Sequence, residues 1–426
     1  MKLVLITFGV AASILAASSR GAPQASGAIL FHDVRVFDGQ RTTEHRSVLV
    51  RNGLIAAIGG SSMTAPGATV IQGNGRTLLP GLIDAHVHIS PADPESSLVQ
   101  SARFGVTTDL DMFTSVEGIK KFKAIEATDP PGMADLRSAG LGASAAHGVP
   151  GNRDPNTHFP TLSSPDQAQA FVDARIAEGS DYIKVIADDG SSPTDPKPTL
   201  PALDIQTIRA VIAAAHRRGK MAVVHAFTER WARAAIAAGA DGLVHAFLGP
   251  GTSPDFGRYA AAHHIFVVPT LTVEYARCNR SDGRALAADP RVKAKLSPGA
   301  LVLLAIHWQS SDSCNATDEA VHELHRAGVP ILVGTDAPVP GSTYGVSTLD
   351  EMKLLVADGL SPTEVLAGAT SLPAHSFHLK DRGEIKPGRR ADLVLVDGNP
   401  ARDIKDLWNI VGVWKRGIPI QREPTS

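Results

Sequence analysis

The sequence predicts an α/β chain, a barrel of parallel strands and helices carrying a small β-domain built from both chain ends. Three observations lead there. The chain has 426 residues, 43% hydrophobic and 20% charged, which is room for one barrel of about 250 residues and a smaller attachment. Between residues 81 and 380, apolar strand-like runs alternate with helical stretches, the texture of βα units around a parallel sheet. Short alternating strands with turn residues between them occupy the segments on either side.

The elements follow in chain order. The opening MKLVLITFGVAASILAASSRGAP combines Lys2, an apolar core from Leu3 to Ala17 and small residues beyond it. That is the pattern of a signal peptide over residues 1–22, and it predicts a secreted or periplasmic protein. The run is too short to span a bilayer comfortably, so no membrane association is expected once it is removed. A buried N-terminal helix is the other reading of the same residues. Next come AILFHDVRVFDGQ, SVLVRNGLIAAIGG and ATVIQGNGRTLLPGLID, which alternate as half-buried strands do. The same texture returns in GEIKPGRRADLVLVDGNP and IVGVWKRGIPI. Between them YIKVIA, MAVVHAF and GLVHAF read as strands, and LDIQTIRAVIAAAHRRG and ERWARAAIAAG as helices. Alanine-rich helices closed by Gly219 and Gly239 suit the outer ring of a barrel. The Pro/Ser/Asp stretch from Asp188 to Pro201 follows a strand directly, and long βα loops on that face shape active sites.

Composition excludes several classes. A net charge of −2 gives no basic field for nucleic acid, and 5% aromatic residues give no stacking platform for bases. Two cysteines, Cys278 and Cys314, are too few for a zinc–thiolate framework. A disulfide between them and two buried thiols are both open. Each is followed by an N-x-Ser/Thr sequon, at Asn279 and Asn315.

Sixteen histidines are a generous count, and several fall where chemistry collects. His86 and His88, in LLPGLIDAHVHIS, are two apart on a strand and project to one face. Alone such a pair is weak, but an apolar strand ends on it. Lys184, in SDYIKVIADDG, lies inside a strand, where burial lowers its pKa and favours the neutral amine. A neutral amine reacts with CO₂ to give an anionic carbamate; the plainer reading is a lysine reaching solvent. His225 ends MAVVHAF and His245 ends GLVHAF, with one helix between them. The C-terminal ends of barrel strands are where catalytic groups gather. Asp336, in VPILVGTDAPVPG, closes a strongly apolar run as a buried acceptor or a functional carboxylate.

The set His-x-His, Lys, His, His and Asp, each at a separate strand end, resembles the amidohydrolase superfamily, and within it the imidazolonepropionase-like and prolidase-like branch. The resemblance covers nearly all of the mature chain, including GRRADLVLVDGNP. It implies a (β/α)₈ TIM barrel over residues 81–380 and a small β-sandwich from 28–80 plus 381–422. It also implies two divalent metal ions. His86, His88 and Asp336 would hold the first, His225 and His245 the second, and a carboxylated Lys184 would bridge both. Zinc suits imidazole and carboxylate ligands, and manganese or cobalt can substitute. The implied chemistry is hydrolysis of a C–N bond in a small substrate such as an N-acyl amino acid or dipeptide. A metal-bridging hydroxide would attack, and Asp336 would shuttle the proton to the leaving nitrogen.

His147, in ASAAHGVPG, matches a histidine that touches substrate in related dipeptidases, although Ala145 and Ala146 stand where those enzymes often have glycines. Relatives often have histidine where this chain has Leu349. Tyr275, in PTLTVEYA, falls just after a strand and is a second substrate-binding candidate. Both changes put the carry-over of substrate in doubt. Two alternatives share the frame. A lactone or cyclic-amide hydrolase uses the same ligands. A mononuclear deaminase usually lacks the lysine and places a glutamate where this chain has Thr228, with Glu229 one further on. Oligomeric state is left open, a homo-oligomer included.

Overall fold

The structure is a computed structural model, and it describes residues 27–151, 159–191, 197–306, 308 and 313–423. The leader expected over residues 1–22 lies outside them, as does part of the loop from Asp188 to Pro201. Among the described residues no helix is long and apolar enough to cross a membrane.

Strands β1 (Ile29–Phe37), β2 (Thr42–Arg51), β3 (Leu54–Gly60), β4 (Thr69–Gln72) and β5 (Thr77–Pro80) open the chain. Then come β6 (Leu82–Val87), β7 (Val106–Asp111), β8 (Asp135–Ser138), β9 (Ile183–Ile186), β10 (Ala222–His225), β11 (Gly242–Val244) and β12 (Phe266–Val268). The last three are β13 (Leu393–Val396), β14 (Ile410–Lys415) and β15 (Ile418–Pro419).

Both chain ends do build one sheet domain. Its order is β15-β14-β13-β5-β1-β2-β3, with β4 also paired to β1. Hydrogen bonding runs through a single eight-stranded sheet, folded enough that Phe31 of β1 meets Trp414 of β14, three strands away, with ring centroids 4.9 Å apart. Strand β5 pairs on one side with β1 and on the other with β13, so the two chain ends join edge to edge.

The middle of the chain is α/β, as expected. Strands β6-β7-β8 and β9-β10-β11-β12 form two parallel sheets. Irregular segments run between them. Ala143 donates to the Lys184 carbonyl at 2.8 Å and accepts from Ile186 at 2.9 Å. Leu332 donates to Val267 at 2.9 Å, and Ala85 donates to Val333 at 2.8 Å. The run before Asp336, expected as a strand, is held by these bonds and one isolated bridge, Val267 to Ile331. Ile83, Leu110, Tyr182, Val223, Val244, Val268 and Leu332 form one apolar cluster drawn from both parallel sheets.

Helices form where the alternating runs give way to helical spacing. Ile205–Arg217 begins at Asp204, whose carboxylate accepts from Thr207 N at 2.6 Å, and it buries Ile208, Val211, Ile212 and Ala215. A capping carboxylate satisfies one of the first-turn donors that have no partner within a helix. Gly219 and Gly239 end their helices with φ of +65° and +99°, a region in which a side chain would be strained.

Candidate metal centre

The strand ends bring the predicted ligands together. His86 is fully buried at the end of β6, and His88 follows two residues later and stays partly exposed. His86 Nε2 and His88 Nε2 lie 3.2 and 2.9 Å from the same Asp336 oxygen, Oδ1. His225 closes β10 and His245 follows β11, their rings 4.6 Å apart, with His86 and His245 5.0 Å apart. Single donor atoms of His86, His245 and Asp336 all lie within 4.8 Å of one another, a candidate metal site. Lys184 is 2% exposed. It lines, with His88, His225, His245 and Asp336, a cavity of about 120 Å³.

Three of the four imidazoles are aimed by a second contact. His88 Nδ1 faces the Phe113 carbonyl at 3.5 Å, His225 Nε2 the Asp188 carboxylate at 3.2 Å, and His245 Nδ1 the Thr270 hydroxyl at 2.8 Å. Such partners set ring orientation and tautomer and leave the other nitrogen for a metal. Below the site, Asp84 accepts from the backbone N–H groups of His86 and Thr335 and from the Thr335 and Thr348 hydroxyls, which ties β6 to the Asp336 segment. His245 and Asp336 have φ of +80° and +56°. Non-glycine residues there cost about 1–3 kcal/mol each and gather at functional sites.

Burial dominates the electrostatics. It pushes Lys184 down to about 7, against the opposing pull of Asp336 and Asp111. Burial and the Lys184 charge push His86 down to about 3. His225 and His245 are lowered for the same first reason. Burial alone would raise Asp336, but His86 and His88 beside it hold the carboxyl well below its usual range. Neutral imidazoles around an ionised aspartate are the forms a cation binds. The Lys184 amine and His86 Nδ1 have no hydrogen-bond partner among the described residues. Buried polar atoms of that kind are costly, and a metal would satisfy them, so the donor set fits.

Of the two substrate-binding candidates, Tyr275 is corrected by its contacts and His147 is not. Tyr275 does not line the cavity: its hydroxyl is turned to Asp358 at 2.8 Å and Asp318 at 2.7 Å. Tyr275 lies within the helix Leu271–Arg277. His147 is exposed and takes φ of +60°, and its loop brings Val149 and Pro150 to the cavity. Asp188, Thr270 and Phe227 were missed. Asp188 stood two residues beyond the β9 run, and Thr270 closes the apolar run FVVPT. Strand-end position was the signal for both.

A profile described as "Amidohydrolase family" matches residues 77–419. The chain belongs to the amidohydrolase family. Imidazolonepropionase of Salinispora arenicola (strain CNS-205) is 28% identical over 369 residues, 82% of this chain and 85% of that protein. The imidazolonepropionase of Deinococcus deserti is 24% identical over 407 residues, 85% and 90% of the two chains. A solved Xaa-Pro dipeptidase with bound methionine in its active site has a TM-score of 0.75 at 21% identity, covering 92% of this chain and all of that one. It shows a likeness of fold. The protein is a hydrolase acting on C–N bonds, in a family that is generally metal-dependent.

Proposed function

We propose that this hydrolase is binuclear and cleaves the amide or peptide-like bond of an N-acyl amino acid or dipeptide. His86, His88 and Asp336 would hold one divalent ion, His225 and His245 the other, with zinc the best match to these donors. A carboxylated Lys184 would bridge them. The observation that carries this reading is Lys184, buried in the cavity wall with its amine unpartnered and its pKa near 7. The bonds linking the two parallel sheets support a closed (β/α)₈ barrel around it.

Bound ions would supply an ionised water near neutral pH and polarise the carbonyl. The chain does the rest. Asp336, ionised and beside His86 and His88, takes a proton at a carboxylate oxygen and returns it to the leaving nitrogen, which departs poorly as an anion. Phe113, Ile186 and Val339 give the cavity apolar walls that exclude water. A cyclic amide is the second reading, favoured by the imidazolonepropionases at 24–28% identity. The paired cysteines, joined as a disulfide, support export to an oxidising compartment.

The test is metal analysis with a substrate panel. Close to two divalent ions per chain are expected, hydrolysis should stop on chelation, and N-acyl amino acids or dipeptides should be cleaved better than matched lactones. Full activity without metal, or a lactone preference of orders of magnitude, overturns the reading.

A further inference from the structure

One wall of the cavity continues outward into a stack of rings. Phe227, two residues beyond β10, lies nearly parallel to His245, with ring centroids 4.3 Å apart and planes 25° apart. The guanidinium carbon of Arg277 lies 4.6 Å from the same Phe227 ring. An aromatic ring has two faces, so with His245 on one, Arg277 takes the other. Trp308 lies 5.8 Å from that guanidinium, and its indole N–H donates to the Pro340 carbonyl at 3.1 Å, next to Val339 in the cavity wall. Arg277 is therefore held against Phe227, a residue of the cavity wall, and is partly open to solvent.

No carboxylate among the described residues pairs with it. Among the described residues six arginines lie over aromatic rings. Five of them, Arg175, Arg230, Arg233, Arg280 and Arg291, also pair with a carboxylate at 2.5–2.7 Å. Arg277 is the exception: it lies over the Phe227 and Trp308 rings and pairs with no carboxylate among the described residues. Stacking uses the face of a guanidinium and leaves its edge, a planar fork of N–H donors, for an anion.

We propose that Arg277 is the carboxylate-recognition residue of this enzyme. Resting on the amidase reading above, it narrows the substrate to amides whose amine half carries a free carboxylate. Both N-acyl amino acids and dipeptides meet that demand, and neutral amides do not. The apolar walls around Phe113, Ile186 and Val339 then receive the side chains.

The full-length, metal-loaded enzyme tests this with matched pairs. N-acetyl amino acids are compared with the N-acetyl derivatives of the corresponding decarboxylated amines, by acetate release. The wild type should favour the acid of each pair by about 10- to 100-fold in kcat/KM, the worth of one charge-assisted pair. In Arg277→Met that ratio should collapse toward one, mainly through KM, with metal content unchanged. Arg277→Lys should recover part of it. A wild type that cleaves both members equally, or an Arg277→Met ratio equal to that of wild type, overturns the assignment and leaves the amidase reading standing. Cleavage of no amide at all overturns both.

Discussion

The Tyr275 hydroxyl faces two carboxylates, Asp318 and Asp358, and that decides what its removal does. Tyr275→Phe takes a donor from buried acceptors, which costs about 1–3 kcal/mol, while kcat/KM should stay within twofold of wild type. Urea unfolding with steady-state kinetics checks both; a large kinetic loss at unchanged stability would restore a substrate role. Lys184→Ala should behave oppositely, losing most activity and metal, with partial rescue by bicarbonate or short carboxylic acids. Asp188 contacts His225, and Asp188→Ala should weaken metal binding by about 10- to 100-fold, as loss of such supporting partners does. A chelator titration reads this, and wild-type affinity would remove Asp188 from the site.

Helix Leu271–Arg277 starts at Thr270 with no side-chain cap of its own. Glu351 supplies one from far along the chain, its carboxylate accepting from Leu271 N and Thr272 N at 2.8 Å. Since Thr270 also meets His245, Glu351→Ala should both destabilise by about 1–3 kcal/mol and lower the metal content. Retained metal at reduced stability would confine Glu351 to capping. The sequence shows no trace of this contact, because 80 residues separate the partners. What could be read was whatever one strand end reveals locally: the His86–His88 pair, Lys184 within an apolar run, and His225 and His245 at equivalent places. Asp336 was legible for the same reason, although its run proved irregular. Tyr275 misled because a place just after a strand says nothing about which way a following helix turns. The strand order of the sheet was not legible, because alternation marks a half-buried strand without saying which strand lies beside it.

Across the whole molecule, the returning segment after the last helices is bound to the central α/β region by ions. Asp135 in β8 meets Arg382 at 2.5 Å and Arg390 at 3.1 Å, all three almost fully buried. Burial would raise the Asp135 carboxyl, but Arg382, Arg137 and Arg390 hold it well below its usual range. A carboxyl lowered in the folded state stabilises above its unfolded pKa of about 3.9, and that stability drains away as the pH falls toward the folded value. Asp135→Asn should therefore cost about 3–5 kcal/mol near neutrality, with the gap from wild type narrowing below about pH 4. Urea midpoints from pH 3 to 7 report it, and a constant gap would deny the ionic origin. The mixed sheet has a different consequence, one of timing. The outer edge of β5 finds its partner only in β13, about 300 residues later, a wait of about 15–60 s during synthesis at about 5–20 residues per second. Through that interval a strand that is fully buried in the finished fold offers open backbone donors and acceptors to any neighbouring chain. Crowded nascent chains should thus aggregate before β13 emerges, and a chain cut short of Leu393 should be lost to inclusion bodies although every residue of the proposed metal centre is already made.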